Sequence, residues 1–183
     1  MILIIDCGSS KAGNFKQIFM EFGYKSEIFK PTELPDLEKY SGIVISGGPL
    51  LLAEPSSKYY LDYFDFLTTY SKPILGICLG HQIIGIKHNA MIYHGDEIRR
   101  MQKITFLKDN ALFFGIKNNT LFKEDHTEYI DLPSDFILLA SSDTCANEAM
   151  KHKEKSIYGL QFHPEISGDA GKLVLKNFAG LCE

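Results

Sequence analysis

Pro73-Ile74-Leu75-Gly76-Ile77-Cys78-Leu79-Gly80-His81-Gln82 reads as a short apolar strand that turns abruptly into a helix, with Cys78 on the turn. The Gly76-x-Cys78-x-Gly80 layout is that of a strand-to-helix elbow carrying a thiol in place of a hydroxyl. Such a turn needs small residues on both flanks, because larger side chains would clash where the chain reverses. It also needs a helix directly afterwards. The helix N-terminus lowers a thiol pKa and offers unpaired backbone N–H groups to an oxyanion. A second reading stays open at this point: a buried cysteine packs like a small hydrophobe and is common at strand ends.

Outward from this elbow the chain repeats strand and helix. Ile2–Asp6 is a continuous apolar run ending in Asp6-Cys7-Gly8, the pattern of a buried parallel strand. Ala12, Phe15, Ile18, Phe19 and Phe22 then share one helical face, and Gly23 stops the helix. Lys25–Phe29 and Ile43–Ile45 read as further strands, the latter feeding the loop Ser46-Gly47-Gly48-Pro49. Tyr59, Tyr60, Tyr63, Phe64 and Leu67 have helical spacing and read as the core and rim of a helix. Right-handed crossovers would bring Gly8, Gly47, Gly48 and Cys78 to one sheet edge, where open α/β sheets bind ligands.

The second half changes character. Ile92 to Phe106, Thr120 to Phe122, Phe136 to Ala140 and Ser156 to Phe162 read as short strands added in antiparallel or mixed fashion. Ala170, Leu173, Val174, Phe178 and Leu181 mark a closing helix. The expected architecture is a three-layer α/β open sheet with a parallel core, antiparallel or mixed additions, and helices on both faces. No repeat or linker interrupts it, so residues 1–183 read as a single domain.

Composition narrows the function. With 45% hydrophobic and 23% charged residues the chain is an ordinary globule, and its net charge of −4 argues against a nucleic-acid binder. No apolar run is long enough to span a bilayer, and the start lacks the basic lead of a signal peptide, so a cytoplasmic protein is expected. Cys7, Cys78, Cys145 and Cys182 are too scattered for a disulfide framework or a zinc finger. His81 and His88 lie on one helix face, and His88 and His94 lack a carboxylate at ligand spacing, so no metal is expected. Ser46-Gly47-Gly48-Pro49 does not continue as a pyrophosphatase loop, and no Walker motif is present, so no ATP site is expected in this chain.

A nucleophilic thiol needs a base, and the base needs an orienting group. His163, in Gln161-Phe162-His163-Pro164-Glu165, ends an apolar strand, and Pro164 stiffens the chain so that Glu165 can fold back onto the imidazole. Read alone, His163 is also an ordinary turn histidine. Cys78 and His163 together favour the catalytic reading, since each supplies what the other lacks. The order Cys, His, Glu differs from that of α/β-hydrolases, and the papain-type sequence around the cysteine is missing.

Ser46-Gly47-Gly48-Pro49, Pro73–Gln82 and Gln161–Glu165 together resemble the class I, triad-type glutamine amidotransferases over essentially the whole chain. The resemblance implies a Cys78–His163–Glu165 triad that hydrolyses glutamine through a thioester. It implies an oxyanion hole at the N–H groups of Gly48 and Leu79, and glutamine contacts at Gly47, Gly48, Gln82, Asp125 and His126. Asp143–Met150 followed by Ile157-Tyr158-Gly159 most resembles separately encoded glutaminase subunits of GMP synthases. That implies a partner, an ATP-pyrophosphatase synthetase subunit that holds ATP and Mg and converts XMP to GMP. Glutaminase subunits of anthranilate or aminodeoxychorismate synthases are an alternative. They usually carry Gly-Pro-Gly where this chain has Ser46-Gly47-Gly48, and of their His-Gly-Lys stretch only His94-Gly95-Asp96 remains as a partial echo.

Three stretches depart from the family pattern. Asp125-His126-Thr127-Glu128 replaces a Ser-His-x-Asp stretch, Asn89-Ala90 replaces a glycine pair, and Gly8-Ser9-Ser10 replaces Gly-Ser-Gln. Asn89 tolerates the left-handed backbone that glycine would supply. The new carboxylate at Asp125 would either repel the substrate carboxylate or pair with its ammonium. Asp125 and Glu128 also motivate a contrasting reading, a catalytically silent regulatory chain, against which the complete triad argues.

Overall fold

Short apolar runs form the centre of the molecule. The computed structural model describes residues 1–183. Its first half contains β1 (Ile2–Ile5), α1 (Ala12–Glu21), β2 (Ser26–Phe29), β3 (Gly42–Ile45), β4 (Ile74–Ile77) and α2 (Leu79–Lys87). The second half adds β5 (Ile92–Ile98), β6 (Met101–Phe106), β7 (Thr120–Lys123), β8 (His126–Ile130), β9 (Phe136–Ser141), β10 (Ala149–His152), β11 (Ile157–Leu160) and α3 (Gly168–Leu181). Nine strands make one sheet in the order β2-β1-β3-β4-β11-β10-β9-β6-β7, and β5 pairs with β8 as a separate ribbon.

The central strands are apolar at every position because both faces are covered. Along β1, Ile2 and Ile4 join the core shared with α1 and α3, whereas Leu3 and Ile5 join the core shared with α2. On the first side Phe15 and Phe19 of α1 meet Val174 and Phe178 of α3, and all four are completely buried. α1 stops where expected: Gly23 takes φ 83° and the Tyr24 amide reaches back to the Phe19 carbonyl at 2.9 Å. The expected three-layer α/β sheet with a parallel core is therefore what the chain forms.

Three features differ from the sequence reading, and a fourth makes it specific. The segment expected as an α-helix around Tyr59–Leu67 is a 3-10 helix, Pro55–Thr68, kinked at Phe64. Its inward residues Leu61, Phe64 and Leu67 recur every third position, the 3-10 period, and Tyr59 is 63% exposed rather than core. Ile92–Phe106 is not one strand but two, broken at Arg99-Arg100, with β5 in the ribbon and β6 in the main sheet. β8 and β10 are not legible as strands in the sequence; the inward positions of β8 include His126 and Glu128, which hide its alternation. β11 is a mixed addition, antiparallel to β10 and parallel to β4, with Leu160 opposite Ile77. The parallel pairing assembles the site, because it brings the end of β11 to the edge that carries Cys78.

Candidate active site

Cys78 sits between β4 and α2 with φ 49° and ψ −103°, outside the left-handed helical well that non-glycine residues occasionally visit. Strain of this kind costs of order 1–3 kcal/mol and persists only where the surroundings dictate it. Here the flanking glycines let them. A Cβ on Gly76 would run into the Gly80 carbonyl, and one on Gly80 into the Ile45 carbonyl. The Cys78 amide donates to the Leu160 carbonyl of β11 at 2.8 Å, which ties the elbow to the strand that delivers the base.

His163 stands three residues beyond β11. Its amide donates to the Lys123 carbonyl at 2.8 Å and its carbonyl accepts from Ser167 Oγ at 2.6 Å, so its backbone is held at both ends. Its Nδ1 lies 2.7 Å from Glu165 Oε1, and the Glu165 side chain is fully buried. Burial disfavours the imidazolium, but the neighbouring Cys78 thiol and the Glu165 carboxylate outweigh it and hold the His163 pKa well above the ordinary histidine value. Imidazole and thiol flank one point: a Cβ built on Gly47 would meet His163 Cε1 at 3.0 Å and Cys78 Cβ at 3.5 Å. Thiol, imidazole and carboxylate thus stand in sequence, the order that activates a nucleophile.

Cys78 opens into a cleft of about 390 Å³ walled by Gly8, Gly48, Gln82, Arg99 and Asp125. Gly48 is held so closely against the Cys7 carbonyl that any side chain would clash. As the first residue of α2, Leu79 has an amide without an intrahelical acceptor. Gly47 is not part of the cleft wall; it packs between the thiol and the imidazole.

The other expected contacts are partly occupied by protein. Gln82 Nε2 donates to the Glu128 carbonyl at 2.7 Å and to Gln161 Oε1 at 3.2 Å, so this residue braces the cleft floor. Glu128 is a structural clamp: its carboxylate accepts the Leu52 and Ala53 amides at 2.7 and 3.1 Å, fixing the loop after Pro49. Both nitrogens of the His126 ring face protein, Nδ1 at 3.2 Å from the Glu128 carbonyl and Nε2 at 3.1 Å from Glu124 Oε2. Asp125 does remain at the cleft. Its carboxylate pairs with Arg99 at 3.0 Å, and its carbonyl receives the Cys78 thiol at 3.7 Å.

Sequence reasoning missed Arg99, Glu97 and the buried acids Glu124 and Glu148. Arg99-Arg100 are the only arginines in the chain, a visible signal, but nothing local says that their turn reaches the cleft. Burial raises both the Glu124 and the neighbouring Glu148 carboxyls above the ordinary carboxylate range, and Glu124 beside it raises Glu148 further. Burial likewise raises the thiols of Cys7, Cys145 and Cys182, which marks them as inert packing groups.

At the opposite end of α2, His88, Asp135 and His152 bring ligand-type atoms within 4.8 Å of one another. His152 Nδ1 accepts the amides of Glu154 and Lys155 at 3.1 and 3.0 Å. Its proton therefore sits on Nε2, which faces Asp135 at 3.3 Å, where a metal would need a lone pair. This is a hydrogen-bonded His–Asp–His cluster.

An open α/β sheet with an elbow thiol and a His–Glu pair at one cleft has the arrangement suited to attack on a carbonyl carbon. Residues 3–180 match the family model of the class-I glutamine amidotransferases, and the chain belongs to that family. It is 36% identical to a glutamine-hydrolyzing GMP synthase subunit of Pyrococcus abyssi, over 100% of this chain and 98% of the relative. The counterpart from Methanocaldococcus jannaschii, which bears the same name, is 33% identical, over 100% and 97%. Among solved structures, a Thermoplasma acidophilum protein provisionally assigned as a GMP synthase subunit superposes with a TM-score of 0.88 at 30% identity, covering 99% of this chain and 92% of that one.

Proposed function

We propose that this chain is the glutaminase subunit of a two-chain GMP synthase, and that Cys78, His163 and Glu165 carry its reaction. The observation behind this reading is the buried His163–Glu165 pair, 2.7 Å apart, set against an elbow thiol in one cleft. The Cys78 thiolate adds to the side-chain amide carbon of glutamine, and the amide oxygen gains the negative charge. The N–H groups of Gly48 and Leu79 receive that oxyanion; one such donor is typically worth about 10²–10³ in rate. The imidazolium of His163 gives its proton to the departing ammonia as the C–N bond breaks, leaving a thioester. Neutral His163 then takes a proton from water, which attacks the thioester carbon and releases glutamate and the thiolate. Glu165 holds the Nδ1 proton throughout, fixing the tautomer.

The relatives are named as one subunit of a larger synthase, which supports a separate synthetase chain as the consumer of ammonia. In this reading the partner is an ATP-pyrophosphatase chain that binds ATP, Mg and XMP, and both work in the cytoplasm. No helix here is long and apolar enough to cross a membrane.

The test is ammonia release from glutamine by this chain mixed with the ATP-pyrophosphatase chain of the same organism, with ATP and XMP present or withheld. A rate that rises only with both ligands supports the assignment; no rise at all points to another synthase. Cys78→Ala should lose at least about 10⁴-fold of glutaminase activity while free ammonia still supports the partner. Glutaminase activity surviving in that variant would refute the mechanism.

A further inference from the structure

Ser167 stands at the N-cap of α3, where a serine hydroxyl ordinarily accepts an amide of the first helical turn. Here it makes no such bond. Its Oγ instead donates to the His163 carbonyl at 2.6 Å and accepts the Lys123 amide at 2.8 Å. The residue is 8% exposed, and its single hydroxyl proton is committed to the backbone of the base. α3 thus forgoes a stabilising contact at its own start.

The two bonds complete a pairing between His163 and the end of β7. Residues facing each other in an antiparallel hydrogen-bonded pair ordinarily exchange two direct N–H···O=C bonds. His163 and Lys123 form an isolated antiparallel bridge with one direct bond, from the His163 amide to the Lys123 carbonyl at 2.8 Å. The other bond is interrupted by the Ser167 hydroxyl. The pair is therefore wedged open on one side, and the wedge sets how the backbone presents the imidazole. The same stretch of chain holds the nucleophile: two residues beyond Lys123, the Asp125 carbonyl receives the Cys78 thiol at 3.7 Å. Between them the Glu124 amide donates to the Arg100 carbonyl at 2.8 Å, which fixes the stretch to the adjoining turn. Lys123–Asp125 is thus a common reference for base and thiol.

We propose that Ser167 is a positioning residue, whose hydroxyl holds the His163 backbone at the spacing from β7 that keeps the imidazole beside Cys78. The proposal rests on the glutaminase reading and deepens it. Without the hydroxyl the bridge can close to a second direct bond and carry the imidazole with it. A shift of about 1 Å in a catalytic group is enough to cost about 10²-fold in rate.

The test compares wild type, Ser167→Ala, Ser167→Thr and Asn177→Ala, each with the synthetase chain, and urea unfolding measures the stability each variant loses. Asn177 of α3 donates to the Leu112 and Phe114 carbonyls at 3.0 and 2.9 Å, so its variant removes two bonds from the same helix away from the triad. Ser167→Ala should lower kcat by about 10–100-fold while KM for glutamine stays within about threefold. It should also slow iodoacetamide alkylation of Cys78 at pH 7 by about three- to tenfold, because a displaced imidazole no longer serves the thiol as a base. Ser167→Thr, which keeps a hydroxyl on Cβ, should recover most of both losses, and Asn177→Ala should leave kcat within about twofold. Should Ser167→Ala not fold, Ser167→Gly repeats the comparison with a better helix cap that also lacks the hydroxyl. A kcat that falls no further in Ser167→Ala than in Asn177→Ala overturns the positioning role and leaves the glutaminase reading standing. So does an equal loss in the alanine and threonine variants. If wild type hydrolyses no glutamine, the glutaminase reading falls and alkylation decides: slowing confined to the variant without a hydroxyl supports the positioning role, and equal rates overturn both.

Discussion

At Cys78 a single backbone angle links stability to chemistry. The residue holds φ 49° because α2 must begin immediately after β4, and that start places the thiol at the positive end of the helix. The cost of the strain is met by packing around Gly76 and Gly80, not by Cys78 itself. The imidazole is tuned by Glu165, which holds its Nδ1 at 2.7 Å, and by the nearby Cys78 thiol. Glu165→Gln keeps the shape of the pair but removes the charge that favours imidazolium, so the His163 pKa should fall. An imidazole of lower pKa is a weaker base toward the thiol proton. Alkylation of Cys78 by iodoacetamide should slow several-fold at pH 6 in this variant, and the glutaminase kcat should drop by about 10²-fold or more. An alkylation profile identical to wild type would show that the carboxylate does not tune the imidazole.

Elements are positioned by their ends. α2 begins at the nucleophile and ends in a Schellman motif: Asn89 adopts φ 67°, its amide reaches Ile86, and the Ala90 amide reaches Gly85 at 2.9 Å. Asparagine here holds the left-handed backbone that glycine adopts most readily. Asn89→Gly should be neutral or slightly stabilising, whereas Asn89→Val should cost about 1–2 kcal/mol in urea unfolding, because a β-branched residue resists positive φ. Equal stability of the two variants would contradict this account. The loop after Pro49 has no regular structure of its own and depends on β8 through Glu128. Glu128→Ala removes two charge-assisted hydrogen bonds, so it should raise KM for glutamine and destabilise the fold by about 2–4 kcal/mol. Circular dichroism melting and steady-state kinetics on one preparation would check both effects; an unchanged melting curve would remove Glu128 from its structural role.

For the whole molecule, the buried polar layer behind the cleft makes stability depend on pH in two opposed ways. Burial, with His126 nearby, lowers the His81 pKa from 6.5 to about 3. As pH falls through that window the unfolded chain binds a proton that the native one refuses, so acid destabilises. Burial, with Glu124 beside it, raises Glu148 well above 4.5, so above that value the native chain holds a proton that the unfolded one has released. Stability therefore declines as pH rises, with a slope approaching about 1.4 kcal/mol per unit for each such proton. Glu148→Gln supplies a neutral side chain of the same shape. Its stability relative to wild type should grow steadily from pH 5 to pH 9 in urea titrations. Parallel curves would mean that Glu148 is ionised in the native state.

The sequence by itself determined the local order of the molecule. Continuous apolar runs revealed the core strands, period-3.6 patterning revealed α1 and α3, and small residues around Cys78 announced the elbow. His163 and Glu165, two residues apart across Pro164, could be recognised as a pair because their contact is local. Tyr59, Tyr60, Tyr63, Phe64 and Leu67 misled because apolar spacing alone does not separate a 3-10 turn from an α-helix. Only the tertiary structure decided that β11 lies parallel beside β4, that Glu124 meets Glu148, and that Arg99 reaches Asp125. Strand pairing is made by backbone hydrogen bonds that are the same for every residue type, so which distant strands adjoin is settled by how all the faces pack together. The chemistry was therefore readable where its parts are neighbours in the chain. Where folding makes the parts neighbours, it became visible only in three dimensions.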